Sequence, residues 1–200
     1  MDFNAIIKRA IAILTKPNDE WQTIKSETMS IADMFTKYAI WLAAIPAVAF
    51  FIGWVAIGKS YGFGTIRMPV GNALVGMILT YVFSLVSIYL VAFILDSLAP
   101  SFGAQKDMVQ SMKVVVFANT ASWVGGIFNL IPSLAILGML IGIYGLYLLY
   151  LGMKVIKEPP QDKLMGYFIV TLIVTVVVTF LIGFIVGAIV FGSARGFFAF

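Results

Sequence analysis

Charged residues along this chain fall in clusters, and the stretches between the clusters are long and apolar. Between Lys37 and Lys59 lie 21 uncharged residues, and between Arg67 and Asp96 there are 28. Between Lys113 and Lys154 there are 40, and between Lys163 and Arg195 there are 31. A helix needs about 20 apolar residues to cross a hydrocarbon layer of about 30 Å. The first, second and fourth gaps therefore each hold one span. The third holds two, because Asn129-Leu-Ile-Pro-Ser133 interrupts it. Proline there has no amide donor and pushes the residue before it out of helical geometry. The pattern predicts five spans, at about 35–58, 69–95, 108–128, 133–155 and 164–192. Span three is the short one: Val114 to Phe128 is 15 residues, about 22 Å of helix. It must begin near Met108, with Lys113 reaching back to the interface. A re-entrant segment at this point would leave four spans and put the C-terminus on the other side.

Ahead of the first span the period changes. Phe3, Ile6, Ile7, Ala10, Ile11 and Leu14 recur at helical spacing, with Lys8 and Lys16 off the stripe and Arg9 near its edge. Pro17 ends this helix. The stripe suits a helix lying in the membrane plane, cations at the headgroups and aliphatics in the acyl boundary. Docking on the protein's own surface is the competing reading. Lys8 and Arg9 interrupt the first apolar residues, so the start does not read as a secretory signal. Ser30-x-x-Asp33 has capping-box spacing and predicts a helix start near Ile31. The organisation expected is a segment 1–30, a membrane domain 31–194 and a tail 195–200.

Composition removes most chemistry. Hydrophobic residues make up 62% of the 200-residue chain and charged ones 11%, with a mean hydropathy of +1.04. A soluble core could not hide so much apolar surface, so the fold class expected is an all-α membrane protein, a five-helix bundle with an N-terminal in-plane helix. Without cysteine or histidine, thiol nucleophiles, disulfides and the commonest metal ligand and general base are absent. No phosphate loop or catalytic carboxylate pair occurs, so neither an enzyme nor a bound cofactor or metal is expected. A net charge of +4, spread along the chain, does not point to nucleic acid. Its distribution reports orientation instead. Ten cations (Lys8, Arg9, Lys16, Lys25, Lys37, Lys106, Lys113, Lys154, Lys157, Lys163) fall on one predicted side. Three (Lys59, Arg67, Arg195) fall on the other. The positive-inside bias predicts a cytoplasmic N-terminus and an outside C-terminus.

Three groups of residues are candidates for function. Asp96, Lys113, Tyr147, Tyr150, Lys154 and Lys157 converge by topology on the cytoplasmic side, where cations and an aromatic belt could meet a lipid phosphate or an acidic partner. Their alternative role is interface anchoring. Asn119, Thr120, Ser122 and Tyr144 could line a polar cleft within the membrane, or could be glue between helices. Gly183 and Gly187 offer a small-residue face to a second copy of the chain. No carboxylate lies at mid-membrane depth, which argues against proton-coupled transport.

Several segments then carry a resemblance. Pro17-x-x-x-Trp21, Ser101-Phe-Gly103, Ile131-Pro132 and Ile143-Tyr-Gly-Leu-Tyr-Leu-Leu-Tyr-Leu-Gly152 resemble the bacterial branch of the Yip family, over about residues 5–192. That family takes its name from interaction with Ypt/Rab small GTPases. The resemblance implies a five-span helical membrane protein with a cytoplasmic N-terminus, and favours a bacterial inner membrane. Eukaryotic relatives carry Asp-Leu-Tyr-Gly-Pro before the first span. Here Asp33 to Ala39 reads Asp-Met-Phe-Thr-Lys-Tyr-Ala, so a Rab-type partner does not carry over. The reading expected is a non-enzymatic membrane-organising or scaffold protein that binds lipids and partner proteins. A passive channel, lipid-translocating protein or small-solute transporter is the alternative.

Overall fold

The computed structural model describes residues 3–61 and 64–192, so Arg195 and the 195–200 tail lie outside the described residues. Helix α1 spans Phe3–Thr15 and α2 spans Pro17–Ser26. Pro17 ends one and begins the other, because its fixed φ and missing amide suit a first helical turn. Asp19 and Glu20 in the first turn of α2 and Lys25 in its last match the helix dipole. The long helix α3, Ile31–Ile57, starts at the expected capping box: Ser30 accepts from the Asp33 amide while Asp33 reaches back to Ser30. Wider π-turns occupy its two ends, at Phe35–Ala39 and Gly53–Ile57. Gly58, at φ +78, breaks it.

A small antiparallel hairpin follows, β1 Lys59–Tyr61 with β2 Gly64–Ile66. The sequence reading had only a connection there, since three-residue strands are too short to carry a period. Helix α4 runs Val70–Phe102, closing in a 3-10 turn started by Pro100 and ended by Gly103 at φ +72. Helix α5, Met108–Ala118, is capped by Asp107, whose side chain accepts from the Val109 and Gln110 amides. Helix α6 is Thr120–Gly125, and 3-10 turns at Gly126–Leu130 and Pro132–Leu134 lead into α7, Pro132–Lys157. Helix α8 covers Gln161–Gly192.

Four helices, Ile31–Ile57, Val70–Phe102, Pro132–Lys157 and Gln161–Val190, are long and apolar enough to cross a membrane. Segment 108–130 is not one of them, because it breaks at Asn119. There the side-chain amide turns back to the Val115 carbonyl and competes with the helix's own ladder. The pieces nevertheless stay beside α3. Thr120 meets Tyr38, Gly126 abuts Pro46, and the Asn129 carbonyl abuts Gly53. The order of these contacts makes the segment parallel to α3. Helix α7 returns antiparallel to it, with Gly145 near the Ala118 carbonyl and Gly138 near that of Gly125. Small residues let these backbones approach closely. Outside this pair, α4 lies against α3, α5 and α8.

The apolar stripe of α1 is divided rather than continuous. Ile6, Ala10 and Ile13 are buried in the bundle, while Phe3, Ile7 and Ile11 remain more than half exposed. A test of the packing compares two glycines. Gly126→Leu should lower stability by about 1–3 kcal/mol, since its Cβ alone runs into Pro46. Gly183→Leu, with nothing within 4 Å, should leave the melting temperature in detergent unchanged. Equal melting temperatures for the two variants would contradict this packing.

Candidate site at the N-terminal end of the bundle

The charges that read as a surface form an interior instead. Asp96, near the end of α4, is 4% exposed, Lys113 in α5 is 2% and Lys157 at the end of α7 is 5%. One Asp96 carboxylate oxygen lies 3.3 Å from Lys157 Nζ, accepts the Asp107 amide at 2.7 Å, and accepts the Ser111 hydroxyl at 3.0 Å. Lys157 also donates to the Asp107 carbonyl. The end of α4, the start of α5 and the end of α7 are thus fastened to one ion pair. Beside it, the Tyr167 hydroxyl donates to the Leu95 carbonyl, and its ring stacks on Phe102.

Lys113 does not reach out to headgroups. Its Nζ donates to the Ile24 and Glu27 carbonyls at 3.0 and 2.6 Å, so its charge sits against the last turn of α2. The negative end of a helix dipole is a favourable place for a cation. Asp96, Lys113 and Lys157 are therefore corrected from lipid-facing groups to buried fasteners. Tyr147 and Lys154 do face outward, and Tyr150 is half-buried with its ring edge-on to Phe168.

A second node joins α1 to α2. Arg9 donates to Glu20 at 2.6 Å and to both oxygens of Glu27 at 2.6 and 2.8 Å, and its guanidinium lies 5.7 Å from the Phe117 ring centre. Burial opposes the Arg9 charge, but hydrogen bonding and attraction from Glu27 and Glu20 outweigh it and hold its pKa above the usual value. Trp21, fully buried, lies so close to Gly152 that any side chain there would strike its ring. The Tyr144 hydroxyl donates to the Leu14 carbonyl at the end of α1. Helices α1 and α2 together close one end of the bundle.

The residues expected to line a cleft do not converge on one. Thr120 is buried against Tyr38, whose hydroxyl lies 2.8 Å away. Asn119 bonds its own helix, Tyr144 bonds α1, and Ser122 lies by Gly142 and Gly145. Each is a separate interhelical or local tie. Gly183 and Gly187 sit in open space on α8. Glu20, Glu27 and Tyr167 escaped the sequence reading and Arg9 read only as a cation beside the stripe, since the groups they meet lie on other elements, while Asp107 was a local helix cap left unread.

Long apolar helices fastened by buried charge define a helical integral membrane protein. The chain belongs to the Yip1 family: the Yip1 domain matches residues 11–195. It is similar to the inner membrane protein YohC of Escherichia coli strain K12, with 25% identity over 164 residues, 80% of this chain and 84% of that protein. The same figures hold for YohC of Escherichia coli O6:H1 strain CFT073. No solved structure matches. The resemblance segments meet in space: Trp21 of the first packs on Gly152 of the last.

The ion pair makes a sharp prediction. Asp96→Leu alone should cost about 3–5 kcal/mol, since it strands a buried ammonium. Adding Lys157→Met should recover much of that loss in a denaturation series. A single variant as stable as the parent would contradict the pairing.

Proposed function

We propose that this chain is a non-enzymatic membrane-organising protein with five crossings, whose N-terminal helix lies in the cytoplasmic face of the membrane and binds lipid. The observation that carries the reading is the divided face of α1. One side is held in the bundle by Ile6, Ala10 and Ile13, while Phe3, Ile7 and Ile11 form an exposed apolar row one turn apart. An apolar row beside Lys8 and Lys16 fits the acyl–headgroup boundary. Phe3 also meets Trp41 edge-on, and tryptophan favours that same level. The parallel course of segment 108–130 beside α3 supports counting it as a crossing despite its break. The ten-to-three cation asymmetry supports the orientation. The relatives' name, inner membrane protein, supports that membrane for this chain as well.

A chain without cysteine suits single-cysteine mapping. In sealed vesicles, an impermeant maleimide should label Lys16→Cys and Ser101→Cys from the cytoplasmic face, and Ser60→Cys and Ser133→Cys from the other. Ile11→Cys should react only after detergent is added. Labelling of Ser133→Cys from the same face as Ser101→Cys would remove the third crossing. Free labelling of Ile11→Cys would remove the in-plane helix.

A further inference from the structure

Above α1, a groove of about 610 Å³ separates it from the start of α3. Ala5, Ile6 and Arg9 form one wall, and Asp33, Lys37 and Tyr38 lie along the other, with Phe117 also lining it. That volume is in the range of small-ligand sites. Most of the wall is apolar, but the rim carries both signs of charge. Lys37 and Asp33 pair at 2.5 Å, with their side chains 75% and 41% exposed. An exposed pair of this kind is weakly held, so Lys37 and the Asp33 oxygen it meets are available to groups of opposite charge, while the other Asp33 oxygen stays with Ser30.

We propose that this groove holds the headgroup of a zwitterionic phospholipid with a primary amine, phosphate on Lys37 and ammonium on Asp33. The assignment rests on the in-plane reading of α1, which puts the groove at headgroup depth. Charge complementarity selects the class. Arg9 inside the groove is already neutralised by Glu20 and Glu27, so the floor offers little to a purely anionic headgroup. Arg9 also lies over the Phe117 ring, the aromatic surface that a quaternary ammonium would want. A primary ammonium needs only a carboxylate acceptor, and Asp33 supplies one. The acyl chains run beside Phe3 and Trp41, whose rings meet edge-on, with Trp41 one turn along α3 from Lys37.

The test uses the full chain in nanodiscs of phosphatidylethanolamine, phosphatidylcholine or phosphatidylglycerol with matched acyl chains, mixed pairwise. Lipid retained after detergent extraction is counted by native mass spectrometry. The parent protein should retain phosphatidylethanolamine several-fold over both others. Asp33→Asn should abolish that preference, and Ala5→Trp should do so by filling the groove without touching either charge. Equal retention of the three lipids, preference for phosphatidylglycerol, or a preference surviving both variants would overturn the site. Ile11→Cys protection, measured in the same variants, separates the two ideas. Protection kept with no lipid preference removes only this site, whereas protection lost in the parent removes the in-plane reading beneath it.

Discussion

A charge taken out of water must be met by fixed partners, and this constraint organises one end of the molecule. Asp96 and Lys157 come from helix ends 61 positions apart in sequence and share a contact almost closed to solvent. Desolvating both is costly, and the pair is tolerable only because the Asp107 amide and the Ser111 hydroxyl add hydrogen bonds to the carboxylate. Those extra bonds can form only if α5 begins at one place and in one direction. The ion pair therefore acts less as a source of stability than as a fix on where three segments end. Lys113 performs a similar service for α2, whose last carbonyls it satisfies from the opposite side.

The N-terminal pair of helices follows from that arrangement. With α2 pinned by Lys113 and by Trp21 against Gly152, α1 is tied through Arg9 to Glu20 and Glu27. Helix α1 then has one apolar side inside the bundle and another left outside it. In water an exposed row of Phe3, Ile7 and Ile11 would be a liability, but at a bilayer surface it is a contact. The proposed function therefore sits at the boundary between protein and lipid rather than in an enclosed chamber.

Much of the fold was legible in the charge gaps. The capping spacing at Ser30 marked the start of α3, and Ile131-Pro132 marked the turn into α7, because both signals are local. The apolar period found α1 but could not divide it, since a stripe does not record how much of it is covered by protein. The break at Asn119 was hidden because a side chain bonding four residues back leaves no trace in composition. The candidate site was read least well. Lys113 and Lys157 looked like interface anchors because a lysine at a span end usually reaches for water. Their partners, the carbonyls of Ile24 and Glu27 and the carboxylate of Asp96, become neighbours only once the helices pack.

The most direct measurement of this interior is the reactivity of individual lysines toward a small amine acylating reagent, read by mass spectrometry on the folded protein in nanodiscs. Lys154 is exposed one turn from Lys157, so the two differ in burial rather than in position along the chain. Lys154 and Lys8 should be modified rapidly, with Lys113 and Lys157 protected until the protein is unfolded. Modification of Lys113 and Lys157 at the rate of Lys154 would contradict that burial.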